Sequence, residues 1–446
     1  MMDAGARKNE LPLRRVVDNW FPLATSWLLM SAELPAISAV IARLADPKIH
    51  LAAYGAVVFP IALIIEAPII NLLAASTALS KDWDSYLKLR RFMILGGVSL
   101  TVLHVLIAFT PLYYFVVEGV LGAPSAIVEP ARIGLIIMTP WTWSIAYRRF
   151  NQGVLIRFGH SKIVSFGSGL RLAVDVLVLA LGYCFYPISG IVVACSAVAA
   201  GVVTEAVYIG FKVRPVLGKL AKHDPDSTKT LTIASFVEFY APLALTSLLM
   251  LAVQPIGSAA LSRMPRALES LAVWPVVSGL MFMLRCPGHA YQEVVVTLSD
   301  EPRASRSLRN FANILTFLTV ASLLLIIATP ISGLWFETIS GLSPSLSEIA
   351  ITGLWFGMLL PGLAVFQNLF QGILVHRRHT RAITESVIVF LLACGTILWI
   401  GVKWLDVTGI YVGTSAFSIG GLVQVFWLSW RSRGLVKKTR DESEPA

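Results

Sequence analysis

Shifted by 220 residues, this chain falls on itself: Pro22, Leu23 and Ala24 land on Pro242, Leu243 and Ala244, Pro35 lands on Pro255, and Leu51-Ala52 land on Leu271-Ala272. One deleted residue later the shift is 219 and stays there. Pro68 then matches Pro287, Leu89-Arg90 match Leu308-Arg309, Phe92 matches Phe311, Gln152-Gly153 match Gln371-Gly372, and Gly190-Ile191 match Gly409-Ile410. An offset this constant means one unit of about 219 residues used twice, a period too long for a solenoid.

The unit is apolar. With 56% hydrophobic and 14% charged residues and a mean hydropathy of +0.74, the chain is excluded from the soluble globular class and placed in a bilayer. Twelve runs are long enough to span: 17–41, 51–79, 92–116, 131–157, 162–184 and 187–212, then 236–260, 271–298, 311–336, 350–375, 382–403 and 408–430. The expected fold is therefore an all-α polytopic membrane protein of twelve helices, and six per half makes the copies parallel rather than inverted. Residues 1–212 form the first bundle, 213–233 a basic linker, 234–433 the second bundle and 434–446 a charged tail. Of 36 Lys and Arg, 26 lie at the N-terminus, in the even loops and in the tail, against 6 in the odd loops, so both termini are expected in the cytoplasm, at an inner or plasma membrane.

The net charge of +10 follows this topology and does not indicate nucleic acid, because the basic residues sit in short loops between apolar runs. The four cysteines stand singly inside apolar runs and read as small core residues, with no metal-ligand spacing. No Walker A string, dinucleotide fingerprint, zinc-protease or serine-hydrolase motif occurs, so no cofactor, no metal and no enzyme chemistry are expected.

Charged groups inside the runs carry the sharper signal, since each costs roughly 2.5–3.5 kcal/mol at mid-span and tends to face a cavity or a partner. Arg148, Arg149, Asn151 and Gln152 crowd the fourth run, and the tenth run keeps amides at Gln367, Asn368 and Gln371. With Arg171 these are the candidate binding groups for an anion, their guanidinium groups being uncompensated. The alternative is that Arg148 and Arg149 are cytoplasmic-side topology charges. Arg171 and Asp175 are four apart, which also permits a pair within one helix. Glu33, Glu66 and Asp175 are the candidate carboxylates for H+ or Na+. Glu205, Glu293 and Glu385 lie nearer the ends of their runs and are expected at the interface. The His-Arg-Arg-His run at 376–379 reads as an anchor for acidic lipid. Pro22 and Pro242 read as helix starts, while the Pro35/Pro255 and Pro68/Pro287 pairs suggest bent helices lining a cavity. At shift 219 Glu66 falls on Arg285, and these opposite charges would form a gate if the second and eighth helices approach the two-fold axis. The alternative is that each faces a wet cavity by itself.

The strings LAAYGAVVFPIALIIEAPIINL, LHVLIAFTPLYYFVV, TPWTWSIAYRRFNQGVLIRFGHSK and PLALTSLLMLAVQPI resemble the corresponding parts of the progressive ankylosis family. More distantly, the duplicated layout is similar to multidrug and toxin extrusion (MATE) transporters and lipid-linked polysaccharide flippases of the same superfamily. The resemblance implies two six-helix bundles flanking a central cavity with alternating access, and it suits export of anions, although the long acidic tail of the animal members is lacking. The reading is a secondary exporter of a small anionic or amphipathic solute, driven by an H+ or Na+ gradient, with membrane lipid as its other partner and a monomer sufficing. A lipid-linked saccharide flippase is the alternative within transport, and a non-transporting scaffold or receptor the alternative outside it.

Overall fold

The computed structural model describes residues 11–185, 188–221, 231–301, 304–377, 379 and 381–443, and among them every regular element is helical. Residues 222–230 of the expected linker and 444–446 of the tail lie outside the described residues; the part of the linker before them continues the Gly190–Leu220 helix through Pro215. Among the described residues ten helices are long and apolar enough to cross a membrane, and a pair bent by 44°, Pro344–Phe356 with Leu360–His376, makes an eleventh when taken as one span. The chain is a multi-pass membrane protein. The expected run 131–157 is not among these eleven: it is helical over Ser125–Ile137 and Thr139–Arg157, but Arg148, Arg149, Asn151 and Gln152 dilute its apolar character.

The repeat is carried into the backbone almost residue for residue. Ser125–Ile137 and Arg157 map by 219 onto Pro344–Phe356 and His376, so the two copies share the same broken helix. The π-helical turns Phe115–Val120 and Leu334–Ile339 coincide at the same shift, and each is followed by a glycine in the left-handed region, Gly122 at φ 66° and Gly341 at φ 72°. Asp46 and Arg266, matched at 220, are the two described non-glycine residues with positive φ, and each stands at the start of a helix. Sequence identity between the copies is sparse, yet these unusual conformations recur because they set where the chain turns.

The copies differ in the second helix. In the second copy Ala267–Leu298 is continuous over 32 residues despite Pro275 and Pro287. In the first, the expected run 51–79 breaks after Glu66 into tight turns, in which the amides of Ile69 and Ile70 donate to the Glu66 carbonyl, and helix resumes at Leu72–Leu79. Pro68 supplies no amide to the ladder at this point. Pro22 and Pro242 are not helix starts: both lie inside their helices, where the hydroxyls of Ser26 and Thr246, matched at 220, donate to the Pro22 and Pro242 carbonyls at 3.1 and 2.8 Å. A hydroxyl back-bonding to the carbonyl four residues earlier is a known accommodation in membrane helices.

Two compact units are present, and they part from the sequence halves at the opening helices. One unit holds Met1–Ala36, Met264–Arg266 and Val273–Ala446; the other holds Ile37–Arg263 and Ala267–Ala272. The first helix thus packs with the second copy, and the seventh with the first copy. The attachments correspond. In the larger-numbered unit, Trp20 Nε1 donates to the Pro287 carbonyl at 2.9 Å, Trp20 meets the Phe311 ring edge to face at 5.4 Å, and Ser307 Oγ donates to the Leu11 carbonyl at 2.7 Å. In the other unit the equivalent positions repeat this: Tyr240 donates to the Pro68 carbonyl at 2.6 Å, meets Phe92 at 5.1 Å, and Lys88 Nζ donates to the Leu231 carbonyl at 3.0 Å. Leu11 and Val16 are buried with Tyr291, Leu308, Phe311 and Val365, so apolar burial accompanies the polar anchors.

Candidate functional site

Three helices of the unit holding Ile37–Arg263 bring their charges together out of water. Thr139–Arg157 presents Arg148 and Gln152, four apart on one face; Ser161–Cys184 presents Ser168, Arg171 and Asp175; Gly190–Leu220 presents Glu205. Glycine permits the approach. A Cβ at Gly201, one turn before Glu205, would overlap Asp175 Oδ1, and a Cβ at Gly153 would overlap Ser76 Oγ and crowd the Leu73 carbonyl. Gln152-Gly153 and Gln371-Gly372, matched by the repeat, share this role, because a Cβ at Gly372 would press on Val295.

Glu205 is the centre. It is fully buried, not interfacial as its place in the sequence suggests, because the Gly190–Leu220 helix continues well past it. Arg148 Nη1 donates to its Oε2 at 2.6 Å, Gln152 Nε2 to its Oε1 at 2.8 Å and Ser168 Oγ to Oε1 at 3.1 Å, while Arg171 Nε lies 3.5 Å from Oε2. Arg171 also reaches Asp175, Nη1 to Oδ2 at 3.7 Å, so the pair within one helix is present and extends to a neighbour. Arg148 and Arg171 are therefore compensated, contrary to the expectation of free guanidinium groups. Glu293 and Glu385, by contrast, are exposed and partly exposed, and Glu385 is paired with Arg381 and Arg431.

Beside this centre stand Glu66 and Arg149. Glu66 is 3% exposed, its Oε2 has no hydrogen-bond partner among the described residues, and the charges acting on it are those of Arg149 and Arg148. Arg149 points off the Arg148 face by one residue, about 100° around a helix, and its buried Nε is likewise without a hydrogen bond. Three guanidinium groups and three carboxylates, Glu66, Asp175 and Glu205, thus share the neighbourhood, and the set is neutral when all are ionised. Neutrality removes most of the cost of six charges away from water, while Glu66 and Arg149 have neither a hydrogen bond nor an ion pair to another described residue.

The remaining expected residues separate. Asn151 is buried and bonded to the Tyr147 carbonyl in its own helix. Gln367, Asn368 and Gln371 lie in the other unit, where Asn368 Nδ2 donates to the Ala364 carbonyl at 2.7 Å and meets His289 Nδ1 at 3.3 Å, and Gln371 Nε2 is buried without a partner among the described residues. Glu33 and Arg285 belong to that unit as well, Glu33 opening the Glu33–Ile41 helix and Arg285 lying inside Ala267–Leu298. His376 of the basic run is bound to Asp300 at 2.8 Å and to the Val296 carbonyl, so it is engaged within the protein; Arg378 lies outside the described residues. Cys195, Cys286 and Cys394 are buried as expected and Cys184, at a helix end, is exposed. No group of metal ligands occurs among the described residues.

Sequence reasoning missed His289, Gln292 and Trp27. Around them is a cavity of about 410 Å³ lined by Trp27, His289, Gln292, Glu293, Val296 and Thr297. The signal was available: Arg285, His289, Gln292 and Glu293 recur at the spacing of one helix face.

No family model and no curated protein matches the sequence. Solved structures do resemble the chain. An inward-facing multidrug resistance MATE family transporter of the MOP superfamily is 15% identical, covers 93% of this chain and 98% of its own and superposes with a TM-score of 0.72. The lipid II flippase MurJ in an inward closed conformation is 15% identical over 94% of this chain and 90% of its own, at 0.68. A MOP superfamily transporter from Pyrococcus furiosus, described by the reverse polarity of its binding pocket, is 14% identical over 98% and 99%, at 0.63. The chain has the fold of the MATE-type transporters.

Proposed function

We propose that this protein is a secondary active transporter that exports or flips an anionic or amphipathic solute across the inner or plasma membrane, coupled to H+ or Na+. The carrying observation is the buried, charge-balanced cluster in which Glu66 and Arg149 are the members with neither a hydrogen bond nor an ion pair to another described residue. A structural ion network uses all its members; a network with an unbonded carboxylate beside an unbonded guanidinium can exchange a cation at one and an anionic oxygen at the other. Arg149 binds an acid oxygen in the bidentate manner of guanidinium groups, and Glu66 or Asp175 takes the coupling ion. The strings named above are the ground for setting the chain beside the progressive ankylosis family within that fold.

Flux into proteoliposomes decides it. With a panel of organic anions, with and without a pH or Na+ gradient, wild-type protein is expected to move at least one of them in a gradient-dependent way. Arg149→Gln is expected to lower that flux by about tenfold, the scale of one charge-assisted bond. Absence of flux for every anion, with movement of a fluorescent polyprenyl-phosphate saccharide instead, selects the flippase reading, which the likeness to the lipid II flippase supports. Absence of both sinks transport altogether.

A further inference from the structure

The cavity on the Ala267–Leu298 helix has a chemistry of its own. Asn368 fixes it from one side: its Nδ2 donates to the Ala364 carbonyl, which settles the orientation of the amide, and its second hydrogen faces His289 Nδ1 at 3.3 Å. Nδ1 is thereby the acceptor, and in the neutral ring the proton sits on Nε2. No described residue accepts from Nε2. One turn earlier in the helix, outside the lining, lies Arg285, whose charge acts on His289 and whose Nε has no hydrogen bond among the described residues. One turn later lies Glu293, whose Oε1 is approached by Trp27 Nε1 at 3.4 Å. Trp27 and Phe282 flank the imidazole at centroid distances of 5.6 and 6.1 Å.

Along one face, then, come a cation, an N–H donor, an amide at Gln292 and a carboxylate, with an aromatic wall beside them. We infer that this cavity is a binding site for an amphoteric organic molecule, whose acid oxygen is taken by His289 Nε2–H, with the Arg285 charge one turn behind it, and whose ammonium is taken by Glu293 against the Trp27 ring. Opposed charges about two helical turns apart, with the His289 donor between them, are complementary to a ligand that is itself dipolar, and mismatch either way leaves a charge unpaired. A cationic group over an indole face adds attraction. The volume is that of a small-molecule site. The inference deepens the transport reading by naming a solute class.

Binding is measured by calorimetry on the purified full chain in detergent, with three probes: para-aminomethylbenzoate, benzoate and benzylamine. The first is expected to bind at least about tenfold more tightly than either single-ended probe, the scale of one added charge-assisted contact. His289→Phe keeps the ring and removes the N–H, and should bring para-aminomethylbenzoate down to the affinity of benzylamine; Glu293→Gln should bring it down to that of benzoate. Equal affinities for the three probes, no heat with any of them, or unchanged binding in both variants overturns the site. Should His289→Phe fail to give a monodisperse protein, Glu293→Gln still decides, because its side chain is exposed. A negative result here leaves flux of other solutes in vesicles untouched, and absent flux leaves binding of these probes untouched.

Discussion

Glu205 receives two guanidinium groups, an amide and a hydroxyl. Glu205→Gln would leave Arg148 and Arg171 buried with their chief counter-charge gone, a loss on the order of 3–5 kcal/mol for a broken buried pair. The variant is expected to unfold at markedly lower temperature, or to lose monodispersity in detergent, while Arg149→Gln, which breaks no bond, keeps the wild-type melting temperature within a degree or two. A Glu205→Gln protein as stable as wild type would show that the cluster is wet and the pairing incidental. At this scale the sequence names the charged residues but not their partners. Arg171 and Asp175 were legible because i and i+4 meet on any helix, whereas the bonds of Glu205 to Arg148 and Gln152 bridge more than fifty residues and depend on how three helices lie together.

The opening helices are held by the same three contacts in both copies, a donor to a proline carbonyl, an edge-to-face aromatic pair and a donor to the carbonyl that precedes the helix. A proline carbonyl in a helix is a natural acceptor, since the ring deprives the backbone ladder of one amide. Tyr240→Phe removes the donor to Pro68 and little volume, so the expected cost is about 1 kcal/mol for one neutral hydrogen bond, rising toward roughly 3 kcal/mol if the carbonyl is left dry. Ser307→Ala should cost a similar amount at the matched place in the other unit. Thermal unfolding of the purified variants checks both, and a Tyr240→Phe protein with an unaltered transition would mean the bond is not made. The helices themselves were predictable from apolar runs, and so was the recurrence of Pro68 and Pro287. The break after Glu66 was not, because a proline in a membrane helix permits either a continuous helix, as at Pro287, or a turn, as at Pro68.

For the molecule as a whole the asymmetry of basic residues between even and odd loops, 26 against 6, predicts both termini in the cytoplasm. Reporter fusions in the 263–270 loop and at the C-terminal tail are expected on opposite faces of the membrane, and the same face for both would refute the topology. A second pair of fusions, at 121–124 and at 158–161, tests whether the Ser125–Ile137 and Thr139–Arg157 pair crosses, which its polar residues leave open by composition. Its counterpart in the second copy, with amides in place of Arg148 and Arg149, is apolar enough to qualify.

Duplication, helical class and insertion in a bilayer were determined by the sequence alone, because each depends on a pattern that survives local reading: an offset, a run of about twenty apolar residues, a bias of charge. Which helix keeps company with which was decided only in three dimensions. Hydropathy marks Leu13–Ile41 as long and apolar enough to span, but cannot say whether it packs on its own copy or on the other. What assigns it is a few directional contacts, Trp20 to Pro287 and Ser307 to Leu11, whose partners are some 270 to 300 residues away in the chain. The same holds for the buried charges: the sequence supplies three arginines and three carboxylates to this part of the fold, and tertiary packing chooses which four are paired and leaves Glu66 and Arg149 without a hydrogen bond or ion pair among the described residues.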